Sequence, residues 1–190
     1  MMNFPFDIVL ASQSPRRQEL LRLMNIDFRV DVQEVDESFP ENLTPVEIAK
    51  HIANKKASAF KGLQTNELLI TADTIVSHQN AILGKPKNAM QAKEMIRQLS
   101  GSVHEVITAV AFQYQGQTHS FHESTQVFMN ALSDTEIDHY ITTYQPFDKA
   151  GAYGIQEWIG LVAIQKIAGS YTNVMGLPTE RIYQELQKIK

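Results

Sequence analysis

The chain has 190 residues, 43% of them hydrophobic and 20% charged, as in an ordinary globular protein with room for one substantial domain or two small lobes. A formal net charge of −4 argues against long nucleic acids as partners, and the absence of cysteine excludes disulfides, thiolate catalysis and cysteine-held zinc. No apolar run approaches the roughly 18 residues of a membrane span. The N-terminal Met-Met-Asn-Phe-Pro-Phe-Asp lacks the basic start and apolar core of a signal peptide, so a cytoplasmic protein with no membrane partner is expected.

In chain order, Ile8-Val9-Leu10 has the size of a buried strand, and small polar residues Ser12, Gln13 and Ser14 follow it. Ser14 is a suitable N-cap, because its hydroxyl can accept from a first-turn N–H, and Pro15 suits the first helical position. Leu20, Leu21 and Met24 then recur at helical spacing and predict a core-facing stripe. Arg16 and Arg17 fall in the first turn, at the positive end of the helix dipole, where basic residues are disfavoured. Either they are exposed arginines tolerated at a surface, or they share an anion with the free N–H groups, an arrangement that suits phosphate.

Residues 28–32 alternate as a strand, and residues 33–42 form an acidic loop with Glu34, Asp36, Glu37 and Glu41. Thr44-Pro45-Val46-Glu47 is a capping box, predicting a helix to about Phe60 with Ile48, Ile52, Ala53 and Ala57 inward and Gly62 as its stop. Lys55 and Lys56 lie near its C-terminal half, where the dipole favours cations in any case. Residues 68–76 form a second strong strand, apolar except for Thr71, Asp73 and Thr74. Asp73 is the sharpest candidate for chemistry, because a carboxylate in such a strand is costly to bury unless it is paired or bound to metal. It can be a metal ligand, a base at a cleft, or merely a capping carboxylate.

Gln79-Asn80 predicts a turn and Asn88 a helix cap, with that helix ending at Ser100-Gly101. Lys85, between Gly84 and Pro86, is either a point charge for phosphate or an ordinary loop lysine. Strands over 103–114 and 118–129 pair across Gln115-Gly116-Gln117, and Ser133-Asp134-Thr135-Glu136 is a second capping box. Residues 147–156 are rich in Gly and Ala. Residues 161–164 read as a strand, residues 169–178 as a polar glycine-bearing loop, and an amphipathic helix closes the chain. Helices alternating with strands around a long hairpin predict a mixed α/β sheet, treated as a single domain over 1–190.

No P-loop, Gly-x-Gly-x-x-Gly or Gly-x-Ser-x-Gly motif is present. His119 and His122 fall on opposite faces of a strand and are expected at the surface. Glu37 alone is a solvated acid, but beside Asp73 it can share a divalent cation through hard oxygen ligands. Basic groups for an oligophosphate, acids for a metal and no usual covalent nucleophile point to metal-assisted attack of water on a phosphate ester or anhydride.

Several segments in order match one family. Leu10-Ala11-Ser12-Gln13-Ser14-Pro15-Arg16-Arg17, Ala72-Asp73-Thr74, Gly84-Lys85-Pro86, Asp148-Lys149-Ala150-Gly151-Ala152-Tyr153-Gly154-Ile155-Gln156 and Gly169-Ser170-Tyr171 through Gly176-Leu177-Pro178 resemble the Maf family. The resemblance spans almost the whole chain. It implies a nucleoside triphosphate pyrophosphatase that splits the α–β anhydride with Mg²⁺ or Mn²⁺. It also implies an elongated mixed sheet flanked by helices, in two lobes about a deep cleft, similar to the inosine triphosphate pyrophosphatases. Family members are often homodimers and are linked to septum formation.

The segment ending in Gln156 resembles the branch acting on dTTP and UTP; the 7-methyl-GTP branch differs there. By the resemblance Asp73 is the proton acceptor and a metal ligand, and Glu37 is its acidic partner. Arg16, Thr74 and Gln156 are selectivity positions. Arg17, Lys56 and Lys85 bind phosphate, and Ser12 joins the substrate-binding set. Glu157 departs from the expected glycine. Rival readings are a nucleotide-sensing regulator of septum formation without turnover, a 7-methyl-GTP pyrophosphatase, and a pyrophosphatase for modified pyrimidine triphosphates such as 5-methyl-UTP.

Overall fold

The computed structural model describes residues 4–189. Residues 1–3, where the expectation of no signal peptide begins, and Lys190, the last residue of the expected final helix, lie outside the described residues. Seven strands among the described residues form one sheet: β1 (Asp7–Leu10), β2 (Arg29–Val30), β3 (Glu67–His78), β4 (Ala81–Leu83), β5 (Val103–Tyr114), β6 (Gln117–Met129) and β7 (Ile164–Ala168). Their order is β2-β1-β3-β5-β6-β7, with β4 paired to β3. Strand β1 runs parallel to β2 and β3, whereas β3–β4 and β6–β7 are antiparallel, so the sheet is mixed as expected. No helix among the described residues is long and apolar enough to cross a membrane.

The chain divides into two compact units. The first holds the described residues up to Asp73, with Thr108–Glu123 and those from Gly176 on. It contains β1, β2, the first part of β3 and helices α1 (Pro15–Leu23), α2 (Pro45–Ala59) and α7 (Thr179–Leu186). Parallel neighbours need crossovers, and α1 and α2 supply them between β1, β2 and β3. Ile8, Val9 and Leu10 are buried, as are Leu68, Leu69 and Ile70 beside them in register, which is why both strands read as continuous apolar runs. Leu20 and Leu21 of α1 and Ile48, Ile52, Ala53 and Ala57 of α2 are buried, as their spacing predicts. The Thr44–Glu47 capping box forms on both sides.

The second unit is Thr74–Ile107 with Ser124–Met175. It holds β4, β7 and helices α3 (Ala89–Leu99), α4 (Asp134–Tyr144), α5 (Trp158–Ala163) and α6 (Tyr171–Met175). Its core joins Ala92, Ile96 and Leu99 of α3 to Ile137, Tyr140 and Ile141 of α4 and to Ile155 and Ile159. Asn88 caps α3 and the Ser133–Glu136 box caps α4, as expected.

Four expectations are corrected. The strand expected over 28–32 shrinks to the two residues of β2. Both are exposed at the sheet edge, and Arg29 turns aside to grip Glu67 through Nε (2.8 Å) and Nη2 (3.0 Å). The strand expected over 161–164 is instead the end of α5. Ile159 and Ala163, four apart, are the buried residues, while Leu161 is 82% exposed, so the apolar run has a helical period. Strand β7 begins only at Ile164. The loop expected over 169–178 contains α6, opened by Ser170, whose Oγ accepts from Asn173 N–H at 3.3 Å. Finally, Ser14 is the N-cap residue of α1 but its side chain makes no cap bond; its own N–H donates instead to Ser12 Oγ at 3.3 Å.

Candidate functional site

In the first unit, the crossover from β1 into α1 carries Ser12, Arg16 and Arg17. Arg17 is half-buried and reaches back over the strand ends: Nε donates to Gly176 O (2.8 Å), Nη1 to Ala72 O (2.8 Å) and to Ser12 Oγ (3.3 Å). Three fixed acceptors hold the guanidinium rigidly, which is what a fork aimed at an anion requires. No acidic residue lies in the first turn of α1. Arg16 and Arg17 interact electrostatically, and Arg17 also feels Asp73 and Glu37.

Asp73 ends the first unit's stretch of β3 and is 9% exposed. Its Oδ1 accepts from Lys56 Nζ at 2.9 Å, and the same ammonium lies 2.9 Å from Glu37 Oε1. Lys56 thus stands between two carboxylates brought from different elements, one from the strand and one from the acidic loop. Burial raises the Asp73 pKa above its ordinary value; Lys56 and Arg17 oppose that shift and Glu37 adds to it. A carboxylate held this way binds a proton more readily than a solvated one, which suits a proton acceptor. Glu37 is placed by a clasp one residue away. Lys55 Nζ donates to Asp36 Oδ2 (2.9 Å) and to Ser38 O (3.2 Å), so consecutive lysines of α2 hold consecutive acids of the loop.

Among the described residues no group of three or more His, Asp or Glu side chains is placed to hold a metal. The pair does converge: Asp73 and Glu37 both direct an oxygen at the point charge of Lys56. Two carboxylate oxygens fit a hard divalent cation such as Mg²⁺, which takes one or two carboxylates and completes its shell with water and phosphate.

The second unit carries Thr74, Lys85 and Gln156. Thr74 follows Asp73 in β3 and is half-buried. Lys85 is exposed and its side chain makes no ion pair among the described residues. Its turn is anchored by Gly151 N–H, which donates to Gly84 O at 3.1 Å. Gly151 has φ +67°, and a Cβ there would meet Val76 at 3.0 Å, so the turn at Ala150–Ala152 needs glycine twice over. Gln156 is exposed at the corner of a turn closed by Glu157 N–H donating to Gly154 O at 3.0 Å. The adjoining Glu157 faces inward, where Lys149 Nζ lies 3.1 Å from Oε1 and the Tyr140 hydroxyl donates to Oε2.

A family model described as "Maf-like protein" matches residues 7–189. The chain belongs to the Maf family. A protein of Flavobacterium johnsoniae named dTTP/UTP pyrophosphatase is 50% identical over 95% of this chain and 94% of its own. One of Flavobacterium psychrophilum with the same name is 52% identical over 93% and 91%, and one of Phocaeicola vulgatus 47% over 97% and 96%. A solved HAM1 protein from Coxiella burnetii has a TM-score of 0.48 at 17% identity, covering 96% of this chain and 99% of that one.

The Maf chain therefore gathers Ser12, Arg16, Arg17, Glu37, Lys56 and Asp73 within its first unit, and sets Lys85 and Gln156 on anchored turns of its second. His119, expected at the surface, is exposed and pairs with Glu185 at 3.2 Å. Sequence reasoning missed three features. The Asp36–Lys55 clasp was visible only as one acid among four. Tyr140 carries no local signal that marks it out. Gly160 drew no notice, although a Cβ there would lie 1.7 Å from Ile155 O, so α5 can pack on the Gln156 turn only through glycine. The motif Gly154-Ile155-Gln156 gives the turn, but not what presses on it.

Proposed function

We propose that this Maf protein is a nucleoside triphosphate pyrophosphatase that hydrolyses dTTP and UTP to the monophosphate and pyrophosphate. The observation that carries the reading is near-half identity, over almost the full length of both chains, to proteins named dTTP/UTP pyrophosphatase. The Asp73–Lys56–Glu37 cluster beside Arg17 supports it chemically.

In this reading Asp73 takes a proton from the attacking water as that water adds across the α–β anhydride and pyrophosphate departs. Its raised pKa suits that task. Arg17, already held by three acceptors, and Lys56 and Lys85 offset the roughly four negative charges of a triphosphate, with Arg16 and Ser12 at the same strand-to-helix crossover. Asp73 and Glu37 would hold the divalent cation, Mg²⁺ or Mn²⁺, which when bound neutralises phosphate charge. Gln156 offers one donor and one acceptor to the edge of uracil or thymine, and Thr74 and Arg16 complete the selectivity set. The protein acts as one Maf-like domain on free nucleotide, as a homodimer in the cytoplasm.

The test is a metal-dependent substrate panel on the purified protein. Equal amounts of dTMP and pyrophosphate from dTTP, with UTP close behind and GTP far below, are expected. Absence of pyrophosphate with metal present would favour a nucleotide-sensing regulator. Preference for 7-methyl-GTP or for 5-methyl-UTP would move the specificity to those branches.

A further inference from the structure

The Gln156 turn is held from inside by a chain of hydrogen bonds. Gly154 N–H donates to the Tyr140 hydroxyl at 3.0 Å, and that hydroxyl donates in turn to Glu157 Oε2. The other oxygen of Glu157 faces Lys149 Nζ, which is also bonded to Asp148 Oδ1 at 2.7 Å. Tyr140 and Lys149 are both buried. Both flanks of Gln156 are therefore fixed: Ile155 is in the core, and Glu157 is tied by two groups on two different elements. Burial and Glu157 push the Tyr140 hydroxyl pKa above its ordinary value, so it stays a donor. Each bond in such a chain polarises the next, and a single missing acceptor leaves a buried donor unmatched.

We propose that Glu157 is a positioning residue for nucleobase selection: through Tyr140 and Lys149 it fixes the 154–157 turn so that the exposed Gln156 meets the base edge in one geometry. The inference rests on the reading of Gln156 as a selectivity residue. Gln156 touches the base; Glu157, Tyr140 and Lys149 act through it. An amide that must match both a donor and an acceptor discriminates only when its direction is set, because a rotated amide pairs with the wrong edge equally well.

The experiment measures kcat/KM for dTTP and for GTP with Mg²⁺, together with thermal unfolding, on wild type, Gln156→Ala, Glu157→Gln, Glu157→Ala and Tyr140→Phe. Glu157→Ala and Tyr140→Phe are expected to lower the dTTP-to-GTP ratio about tenfold, mostly through a higher KM for dTTP, with kcat nearly kept. Glu157→Gln retains one acceptor and should fall between them and wild type. A purely structural role would lower the folded fraction and leave the ratio unchanged. Should Glu157→Ala fail to fold, Glu157→Gln and Tyr140→Phe carry the test. An unchanged ratio in these variants, with a changed one in Gln156→Ala, overturns the positioning role alone. An unchanged ratio in Gln156→Ala overturns the reading of Gln156 and this inference with it.

Discussion

Each unit contains a lysine gripped by two carboxylates, and the two differ in how the grip is finished. In the first unit Lys56 stands between Asp73 and Glu37; in the second Lys149 stands between Asp148 and Glu157. Glu157 has both oxygens engaged, one by Lys149 and one by Tyr140. Among the described residues Asp73 accepts through Oδ1 only. The closed cluster rigidifies a turn. The Asp73 cluster is open at Asp73 Oδ2, and in the proposed mechanism that carboxylate, with its raised pKa, takes the proton. Similar ion pairs thus hold a turn in one place and, in the proposed mechanism, serve reactivity in the other, and what separates them is the second oxygen of the buried carboxylate.

Removing each lysine should expose the contrast. Lys56→Met is expected to cut dTTP turnover by about 10²- to 10³-fold and to lose stability on the same scale as Lys149→Met, since the two grips are buried to a similar degree. It should also move the acidic limb of the rate profile to higher pH, since Lys56 favours the ionised form of Asp73 and burial opposes it. A pH–rate series checks the sign: activity is lost as pH falls, because a protonated Asp73 cannot accept.

A second difference is acid sensitivity. His104 in the second unit is 2% exposed, bonded to the Tyr153 hydroxyl at 2.7 Å, and burial pushes its pKa down to about 4. Its folded value lies below its unfolded one, so the stability it contributes is complete above about pH 6.5 and lost as pH falls toward 4. The loss is on the order of 3 kcal/mol, and His104→Gln should flatten stability over that window in denaturant titrations. Lys149→Met comes next. It should cost about 2–3 kcal/mol, less than a wholly buried pair because Asp148 is half exposed, with kcat affected far less than in Lys56→Met. The smallest effect separates two helix starts. Ser133→Ala should cost about 1 kcal/mol by removing a formed capping box, and Ser14→Ala a few tenths, since Ser14 caps nothing.

Those helix starts also show what could be read in advance. Thr44 with Glu47 and Ser133 with Glu136 are local devices, complete within four residues, and both form. Ser14 has the same hydroxyl, yet its side chain makes no cap bond, and its own N–H donates to Ser12 Oγ. Residues 161–164 resemble a strand because four apolar residues are too few to display their period; the burial of Ile159 and Ala163 and the exposure of Leu161 reveal the helix. Asp73 stood out as a carboxylate in an apolar strand. Lys56 did not, since a lysine late in a helix is unremarkable until α2 packs it against β3 and brings its Nζ to Asp73. Arg17 was legible as a cation for phosphate, but its three acceptors lie as far along the chain as Gly176 and could be known only from the fold. Glu157 was noticed as a departure, while Tyr140, which gives it meaning, lies 17 residues earlier on α4.

The central claim, that the open cluster performs the chemistry, is tested most directly by the Asp73→Asn protein. Pyrophosphate release from dTTP and thermal unfolding would be measured on the same preparation with Mg²⁺ present. Turnover lower by about 10²- to 10⁴-fold with an unfolding midpoint no lower than wild type is predicted. Near-normal turnover, or loss of activity only through loss of the fold, would contradict the account.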